Sequence, residues 1–261
     1  MPQFVTINGR LHHYHFRQRS RDRAIVFVNS LGTDLRIWDE VIDRLPPDIP
    51  TLAYDKSGHG LSAGGVASID AFTADLAALM DALGIKDALV CGVSVGGMIA
   101  QALASARPDL VGGLVLCSTG YRIGTSENWE ERIVTVNQQG IEAMAEGILE
   151  RWFAPSFHLV YPEIVAGYRL MLTRTPTAGY SAVCAAIRDA DLENVAQSIQ
   201  CLTLCIAGTD DLATPPNVVE ALASAICDAQ SKLYTSVGHL PCIEVPSVLA
   251  DDILKHLETL S

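Results

Sequence analysis

A serine at position 94 stands between two glycines in the stretch "GVSVG", residues 92–96. The strand-like run "DALV" precedes it and the helix-like run "MIAQALASA" follows it. A serine hydroxyl becomes a nucleophile when a base removes its proton and hydrogen-bond donors hold the oxyanion that forms. A sharp strand-to-helix turn exposes such a hydroxyl and crowds the positions two before and two after it, where glycine fits. The pattern predicts a nucleophile at Ser94, although a plain tight turn would use the same glycines.

A serine nucleophile of this kind needs an acid and a histidine that follow later strands. The run "CIAGTDD" ends in Asp210 and Asp211, and "LYTSVGHL" leads from the last strand-like run to His239. Three such residues in this order, each at a strand end, are more specific than the glycine pattern alone. We therefore predict a catalytic triad of Ser94, Asp211 and His239. The alternatives are that the aspartates cap the turn before Pro215 and that His239 is an ordinary loop histidine.

Two backbone N–H groups are expected to bind the oxyanion. One belongs to Val95, directly after the nucleophile, at a helix N-terminus whose free amides and dipole favour negative charge. The other belongs to the loop after an early strand, in the stretch "FVNSLGTD". The rule for such loops selects the N–H of Leu31, with Ser30 and Gly32 keeping the loop tight.

Strand-like and helix-like patterns alternate over most of the chain. "QFVTI" and "LHHYHF" flank Asn8-Gly9, which is typical of a β-hairpin. Apolar residues recur every three or four positions over residues 69–83, which predicts an amphipathic helix that ends at Gly84. The alternation predicts an α/β fold with a mostly parallel central sheet and helices on both faces.

The alternation lapses between about residues 120 and 195, where helical patterns occur with no strand between them. We therefore expect a core made of residues 1–119 and 196–261, with residues 120–195 inserted as a helical lid. The first hairpin carries His12, His13 and His15, of which strand alternation places His13 and His15 on one face, with no third metal ligand nearby in the sequence. A solvated strand is the expected environment for them.

Composition limits the partners that the chain can have. The formal net charge is −12, which argues against nucleic acid because phosphate contacts need clustered Lys and Arg. No apolar run reaches the length of a membrane span, and the start lacks a secretion signal. Seven cysteines without a CxxC pair fit a reducing compartment, and those in strand-like runs are expected to be buried. We expect a cytoplasmic protein; a homo-oligomer is compatible with the sequence.

Several stretches resemble the α/β-hydrolase superfamily and, within it, the 3-oxoadipate enol-lactone hydrolases. The core stretches are residues 29–38, 54–62, 92–125, 207–216 and 237–246, and the lid stretches are 150–157 and 175–192. The core motifs are common to many hydrolases, whereas the lid stretches point to this subfamily. The resemblance implies hydrolysis of a small anionic enol-lactone in aromatic catabolism, without a metal or cofactor.

The carboxylate arm of such a lactone needs a cation, and Trp129 and Arg132 lie three apart on one face of the first lid helix. We expect them to line the pocket; the alternative is that Trp129 packs the lid on the core and Arg132 is solvated. Arg151, Arg174 and Arg188 are other candidate cations.

The chain departs from the family at Ser57, where relatives usually carry a basic residue. We expect this loop to lie away from the triad.

The same core motifs also fit a carboxylesterase or a carbon–carbon bond hydrolase of ring-cleavage products. A non-catalytic member that only binds a ligand is a further alternative, against which an intact triad argues. Haloalkane dehalogenases and epoxide hydrolases are disfavoured because they would carry an aspartate where Ser94 stands.

Overall fold

The structure, a computed structural model, describes residues 2–19 and 23–260, whose strands form one sheet. The strands are β1 (Gln3–Ile7), β2 (Arg10–Arg17), β3 (Ile25–Val28), β4 (Thr51–Tyr54), β5 (Ala88–Val93), β6 (Val111–Cys117), β7 (Leu202–Gly208) and β8 (Ala229–Tyr234). Their spatial order is β1-β2-β4-β3-β5-β6-β7-β8. β2 is antiparallel to β1 and to β4, and the other neighbouring strands are parallel. The predicted hairpin and mostly parallel sheet are confirmed.

The helices cover the sheet in two layers. They are α1 (Asp39–Ile42), α2 (Ile69–Leu83), α3 (Val95–Ala106), α4 (Ser126–Gln139), α5 (Ala145–Trp152), α6 (Pro155–Val160), α7 (Pro162–Thr173), α8 (Thr177–Arg188), α9 (Glu193–Ser198), α10 (Pro216–Ala225), α11 (Pro241–Glu244) and α12 (Pro246–Glu258). Short 3₁₀ turns span Leu35–Trp38 and Ile141–Met144. α2, α3, α9 and α10 pack together in one layer, and α1, α11 and α12 pack in another.

Helix α2 has the predicted bounds because both of its ends carry capping residues. The Ser68 side chain accepts a hydrogen bond from the backbone N–H of Ala71 at the N-terminus. Gly84 ends the helix in the left-handed region, with φ +68°, which glycine adopts without steric cost. Phe72, Leu76 and other apolar residues of one face are buried, as their spacing predicts.

Helices α4 to α9 form a continuous helical segment between β6 and β7. The sequence pattern of residues 128–153 looks helical, and within this run the chain turns at Gly140, with φ +78° and ψ 168°. That backbone conformation divides the run into α4, a 3₁₀ turn and α5. α4 then packs against α8, which closes the segment on itself.

Parallel strands carry the chemistry-bearing loops to one edge of the sheet. The loop with Leu31 follows β3, Ser94 follows β5, Asp211 follows β7, and His239 follows β8. β3 and β5 are buried along their whole lengths, because helices cover both of their faces. The carboxyl ends of parallel strands meet at one edge, which is where α/β sheets bind ligands.

Two histidines of β2 are buried, so the expectation of a solvated strand is wrong for them. His12 is 1% exposed and His13 is 7% exposed. The Nδ1 atom of His13 lies 2.8 Å from Oδ2 of Asp55, and Nε2 of His12 lies 3.5 Å from Oδ2 of Asp75. Elements that are distant in sequence, the loop after β4 and helix α2, cover this part of β2. His15 is exposed, as expected.

The cysteines and the helix lengths add two further observations. Each of the seven cysteines is free, and Cys91, Cys117 and Cys205 are buried in their strands as predicted, whereas Cys201 is half-buried. Over residues 2–19 and 23–260, no helix is both long enough and apolar enough to cross a membrane.

Candidate active site

Ser94 lies in the turn between β5 and α3 with a strained backbone, at φ +58° and ψ −123°. Glycine is required on both sides of this turn. A Cβ on Gly92 would lie less than 3.0 Å from the carbonyl of Gly96, and a Cβ on Gly96 would lie equally close to the carbonyl of Val28. The surrounding structure holds the strained residue: the N–H of Ser94 donates to the Cys117 carbonyl at 3.0 Å.

Asp211 and His239 are in direct contact. Nδ1 of His239 lies 2.9 Å from Oδ2 of Asp211, and both side chains are buried. Oδ1 of Asp211 accepts from the N–H groups of Ala213 and Thr214 at 2.8 and 2.9 Å. The aspartate therefore does cap its turn, as the simpler alternative proposed, and it contacts the histidine as well. Asp210 instead accepts from its neighbour Thr209.

The contact with Asp211 determines which nitrogen of His239 can act as a base. Burial on its own raises the pKa of Asp211, but the charge and hydrogen bond of His239 and the bonds from Thr214 outweigh it, so this pKa lies below its ordinary value. A carboxylate accepts only, so Nδ1 of His239 carries the proton that lies between them. The Nε2 atom is then left without a proton and available as an acceptor.

Thr214 is a site residue that sequence reasoning missed. Its hydroxyl donates to Oδ2 of Asp211 at 2.7 Å and lies 3.2 Å from Nδ1 of His239. The hydroxyl thus occupies a second acceptor position of the carboxylate and fixes its orientation toward the imidazole. The sequence offers only a weak signal for it, a threonine three residues after the predicted acid.

Glu244 is a second residue that sequence reasoning missed, and it fixes the loop that carries His239. Oε1 of Glu244 accepts from the N–H of Gly238 at 2.9 Å, and Oε2 accepts from the N–H of Ala154 at 3.1 Å. The N–H of His239 also donates to the Trp152 carbonyl at 2.9 Å. Burial raises the pKa of Glu244 to about 7, although the two N–H groups act in the opposite direction. These bonds connect the histidine loop to the end of α5.

Ser94 and His239 line the same cavity of about 320 Å³, and Leu31 lines it as well. In the described parts of the chain no hydrogen bond joins the side chains of Ser94 and His239. Such bonds are often long in the absence of substrate and tighten when it binds. The structure therefore brings the three predicted triad residues to one site, with the Asp–His contact already formed.

The two predicted oxyanion donors lie beside the nucleophile: Leu31 lines this cavity, and Val95 directly follows Ser94 in the chain. Val95 is the first residue of α3, so its N–H has no acceptor within the helix. Leu31 is buried in the loop after β3 and lines the cavity beside Ser94. A space next to Ser94 that two backbone N–H groups border can bind a tetrahedral oxyanion.

The loop that contains Ser57 has no hydrogen bond to a triad residue among the described residues, but it contacts the Leu31 loop beside the site. Ser57 itself is buried and donates to the Ala63 carbonyl at 2.9 Å. Its neighbour Lys56, however, donates a hydrogen bond to the carbonyl of Ser30 in the Leu31 loop. The loop after β4 packs against the loop after β3 because β3 and β4 are adjacent strands of the sheet.

Trp129 and Arg132 lie on α4 and both line the cavity. The Trp129 indole N–H donates to the Ile123 carbonyl at 2.6 Å, and the Arg132 guanidinium lies 4.9 Å from the centre of the Trp129 ring. Tyr180 of α8 also lines the cavity, and burial raises the pKa of its hydroxyl, which therefore stays a hydrogen-bond donor. This wall combines apolar surface with hydrogen-bond donors.

The four candidate arginines occupy different environments. Arg132 and Arg151 line the cavity with Ser94, and neither forms an ion pair with a carboxylate of residues 2–19 or 23–260. Arg188 is paired with Glu130 and Asp189. Arg174 borders a different cavity, which Asp34 and Asp55 also line. Two unpaired cations at the site are suited to an anionic substrate, in a chain whose net charge is −12.

Comparison with known proteins identifies the family. A family model described as the alpha/beta hydrolase family matches residues 25–252. The chain belongs to this family. A curated relative, 3-oxoadipate enol-lactonase 2 of Acinetobacter baylyi, is 35% identical to this hydrolase over 225 residues, which is 85% of this chain and 84% of that protein.

Solved structures agree with the family. The enol-lactonase from Burkholderia xenovorans LB400 has a TM-score of 0.94 and 34% identity, over 98% of this hydrolase and 100% of that chain. A thermophilic esterase from Thermogutta terrifontis, solved with malate bound, has a TM-score of 0.90 and 26% identity, over 100% of this hydrolase and 99% of that chain. The similarity extends through the helical segment α4–α9 as well as the sheet.

Proposed function

We propose that this hydrolase opens the ring of 3-oxoadipate enol-lactone to give 3-oxoadipate, through an acyl-enzyme on Ser94. The observation that carries the proposal is that a serine nucleophile, a histidine base and two arginines line one cavity. Ser94 and His239 share it with Arg132 and Arg151, which have no carboxylate partner among the residues described. The small lactone carries both groups that such a cavity suits, an acyl carbon for the serine and a carboxylate for an arginine.

In the first proposed step, Nε2 of His239 removes the proton of Ser94 Oγ as this oxygen attacks the lactone carbonyl. Asp211 holds the imidazole in the required tautomer and stabilises the imidazolium that forms. The N–H groups of Leu31 and Val95 bind the oxyanion of the tetrahedral intermediate. Trp129 and Arg132 bind the rest of the lactone, with the guanidinium on its carboxylate.

When the intermediate collapses, the ring carbon–oxygen bond breaks and the leaving oxygen departs as an enolate. The enolate takes the proton held by His239, and the enol that forms tautomerises to a ketone. The enolate is a good leaving group, so the step needs little help from the acid. The acyl group stays on Ser94 until His239 removes a proton from a water molecule that attacks the ester. The same two N–H groups bind the second oxyanion. It collapses as the bond between the acyl carbon and Ser94 Oγ breaks, His239 returns the proton to Oγ, and 3-oxoadipate is released. These steps require no metal or cofactor.

The relatives support this choice of substrate over others of the same reaction class. Two curated relatives named 3-oxoadipate enol-lactonase, at 35% and 30% identity, and a solved enol-lactonase cover most of this chain. A carboxylesterase is the second candidate, because the esterase from Thermogutta terrifontis is 26% identical to this hydrolase and its similarity covers the whole chain.

The decisive experiment measures the ultraviolet absorbance of 3-oxoadipate enol-lactone with purified protein. We expect wild type to consume the lactone and Ser94→Ala to lose this activity, while a serine-directed phosphonate labels wild type at Ser94 only. If wild type leaves the lactone untouched but hydrolyses simple esters or carbon–carbon ring-cleavage products, the enol-lactonase assignment is wrong. The corresponding alternative, a carboxylesterase or a carbon–carbon bond hydrolase, then replaces it. Absence of phosphonate labelling would favour a non-catalytic ligand-binding member.

A further inference from the structure

The loop after β4 holds the Leu31 loop through three side chains. Lys56 Nζ donates to the Ser30 carbonyl, and it lies 3.4 Å from the Asn29 carbonyl. Nε2 of His59 accepts from the N–H of Gly32 at 3.0 Å. Oδ1 of Asp55 accepts from the N–H of Leu35 at 2.8 Å.

The contact of Lys56 with Ser30 bears directly on the N–H of Leu31. The Ser30 carbonyl and the Leu31 N–H belong to one peptide unit, which is planar and trans, so its C=O and N–H point in opposite directions. A donor that holds the oxygen on one side therefore fixes the direction of the hydrogen on the other. Ser30 and Leu31 both line the cavity with Ser94, whereas Lys56 does not.

His59 explains why Leu31, and not the next residue, would supply the donor. Burial and the neighbouring Lys56 hold the pKa of His59 well below its ordinary value, so its ring stays neutral and Nε2 can accept. The N–H of Gly32 is used by this acceptor. The N–H of Leu31 has no hydrogen-bond partner among residues 2–19 and 23–260, so it is available to a ligand in the cavity.

Burial makes the charge of Lys56 costly, which argues against a purely space-filling role. The side chain is 1% exposed, and burial lowers its pKa to about 7, against the opposing charges of Asp55 and Asp34. An apolar residue would fill the same space without this penalty. An ammonium group bonded to a carbonyl, however, draws electron density from the peptide and strengthens its N–H as a donor.

We propose that Lys56 is a positioning residue for the oxyanion hole: its ammonium orients and polarises the Ser30–Leu31 peptide so that the Leu31 N–H binds the developing oxyanion. This inference rests on the proposed function in one respect, the assignment of the Leu31 N–H as an oxyanion donor. It does not depend on which ester or lactone is the substrate. Its test can therefore use any ester that wild type hydrolyses.

The main test compares Lys56→Met, which keeps the length of the side chain, with Lys86→Met. Lys86 is exposed, lies in the turn before β5 and is the matched control. With a neutral p-nitrophenyl ester at pH 6, we expect Lys56→Met to lower kcat by about 10- to 100-fold with KM within about twofold, because a weakened oxyanion donor acts on the transition state. Lys86→Met should match wild type.

A boronic acid that forms a tetrahedral adduct with Ser94 supplies a second measurement. Its affinity should fall in Lys56→Met by the same factor as kcat/KM, since both report binding of a tetrahedral anion. An unchanged boronate affinity, or a loss that appears in KM alone, would overturn the proposal. Lys56→Arg should recover most of kcat, because it keeps a buried cation at the Ser30 carbonyl.

The pH dependence distinguishes a charge from a merely structural contact. The ratio of kcat between wild type and Lys56→Met cancels every pH dependence that the two proteins share. It should be largest at pH 6 and decrease through about pH 7, where the buried lysine loses its proton. The groups that interact with this lysine are Asp34, Asp55 and His59. A ratio that stays constant with pH would refute the electrostatic role.

Lys56→Gln keeps the proposal testable if the methionine variant fails to fold. Glutamine is neutral and retains a donor for the Ser30 carbonyl. The kcat of Lys56→Gln should therefore lie between the kcat of Lys56→Met and that of Lys56→Arg. Equal kcat values in the glutamine, arginine and wild-type proteins would overturn the proposal. Failure of the proposed function is a different result: wild type would hydrolyse simple esters and leave 3-oxoadipate enol-lactone untouched.

Discussion

Asp211 contacts His239 through one carboxylate oxygen, Oδ2, at 2.9 Å from Nδ1, while its other oxygen accepts two backbone N–H groups. One side chain therefore closes the turn after β7 and orients the imidazole that follows β8. This double use makes the carboxylate rigid, because every oxygen is bound before a substrate arrives. A change of Asp211 should therefore affect two quantities that can be measured separately, kcat and the free energy of unfolding.

We expect Asp211→Asn to lower kcat by about 10³- to 10⁴-fold for any ester that wild type hydrolyses. An asparagine amide facing Nδ1 of His239 would donate a hydrogen bond, which shifts the ring proton to Nε2 and removes the base. Asp210→Asn is the matched control, because Asp210 is adjacent in sequence and bonds to Thr209 instead. A kcat within tenfold of wild type in Asp211→Asn would exclude Asp211 as the partner of the histidine.

Asp211 also predicts how stability changes in acid. Its pKa is lower in the folded protein than in an unfolded chain, so it stabilises the fold above its unfolded pKa of about 3.9. This contribution is lost as the pH falls from there through the lower folded value. The free energy of unfolding should therefore fall more steeply below about pH 4 in wild type than in Asp211→Asn. Urea titrations from pH 7 to pH 3 measure both curves.

The control for the acid titration is Ser94→Ala, which removes no titrating carboxylate and should give the same slope as wild type. Parallel curves for wild type and Asp211→Asn would show that the Asp211 carboxylate has equal pKa values in the folded and unfolded states. That result would contradict the contact with His239.

The sequence predicts the fold and the positions of the site residues because both follow from local patterns. Strand-like runs placed Ser94, Asp211 and His239 at strand ends, and parallel strands then bring those ends to one edge. The bounds of α2 followed from its apolar spacing and Gly84 in the same way. Each of these inferences needs only a few neighbouring residues and the geometry of a parallel sheet.

The residues that support the site could not be predicted in this way. Glu244 bonds to Ala154, which is 90 positions away, and Lys56 bonds to Ser30, which is 26 positions away. The burial of His13 depends on Asp55, which is 42 positions away. These contacts arise only when loops from neighbouring strands pack together, and no periodicity in the sequence marks them. Which arginines line the cavity with Ser94 and which form ion pairs likewise depends on how α4 to α8 fold over the sheet.

Arg132 should distinguish charged from neutral substrates. We expect Arg132→Ala to raise KM for an ester or lactone with a free carboxylate by about 10- to 100-fold, since a hydrogen bond between charged groups contributes about 1.5–3 kcal/mol. KM for a neutral ester of similar size should stay within about threefold. Arg188→Ala is the control, because this arginine is already paired with Glu130 and Asp189. Equal effects of Arg132→Ala on both substrates would remove the proposed role.

The turn around Ser94 predicts opposite outcomes for two glycine-to-alanine changes. A Cβ on Gly96 would meet the backbone carbonyls of Val28 and Asn29, which belong to the end of β3 and the Leu31 loop. Because these atoms are backbone, they cannot move aside as a flexible side chain would. Gly167, within α7, is exposed and has no atom within 4 Å of an added Cβ. Alanine there should stabilise the helix by about 0.5–1 kcal/mol.

Thermal unfolding measures both changes. Gly96→Ala should unfold at a Tm lower by about 5 °C or more, or fail to give soluble protein, since overpacking costs about 1–3 kcal/mol and each kcal/mol shifts the Tm of a chain of this length by about 2–4 °C. Gly167→Ala should raise Tm by about 1–4 °C. Its kcat should be unchanged, because no residue of α7 lines the cavity with Ser94. A Gly96→Ala protein with the Tm and kcat of wild type would show that β5, Ser94 and α3 do not pack against the Leu31 loop. The oxyanion hole would then have to be built from other atoms.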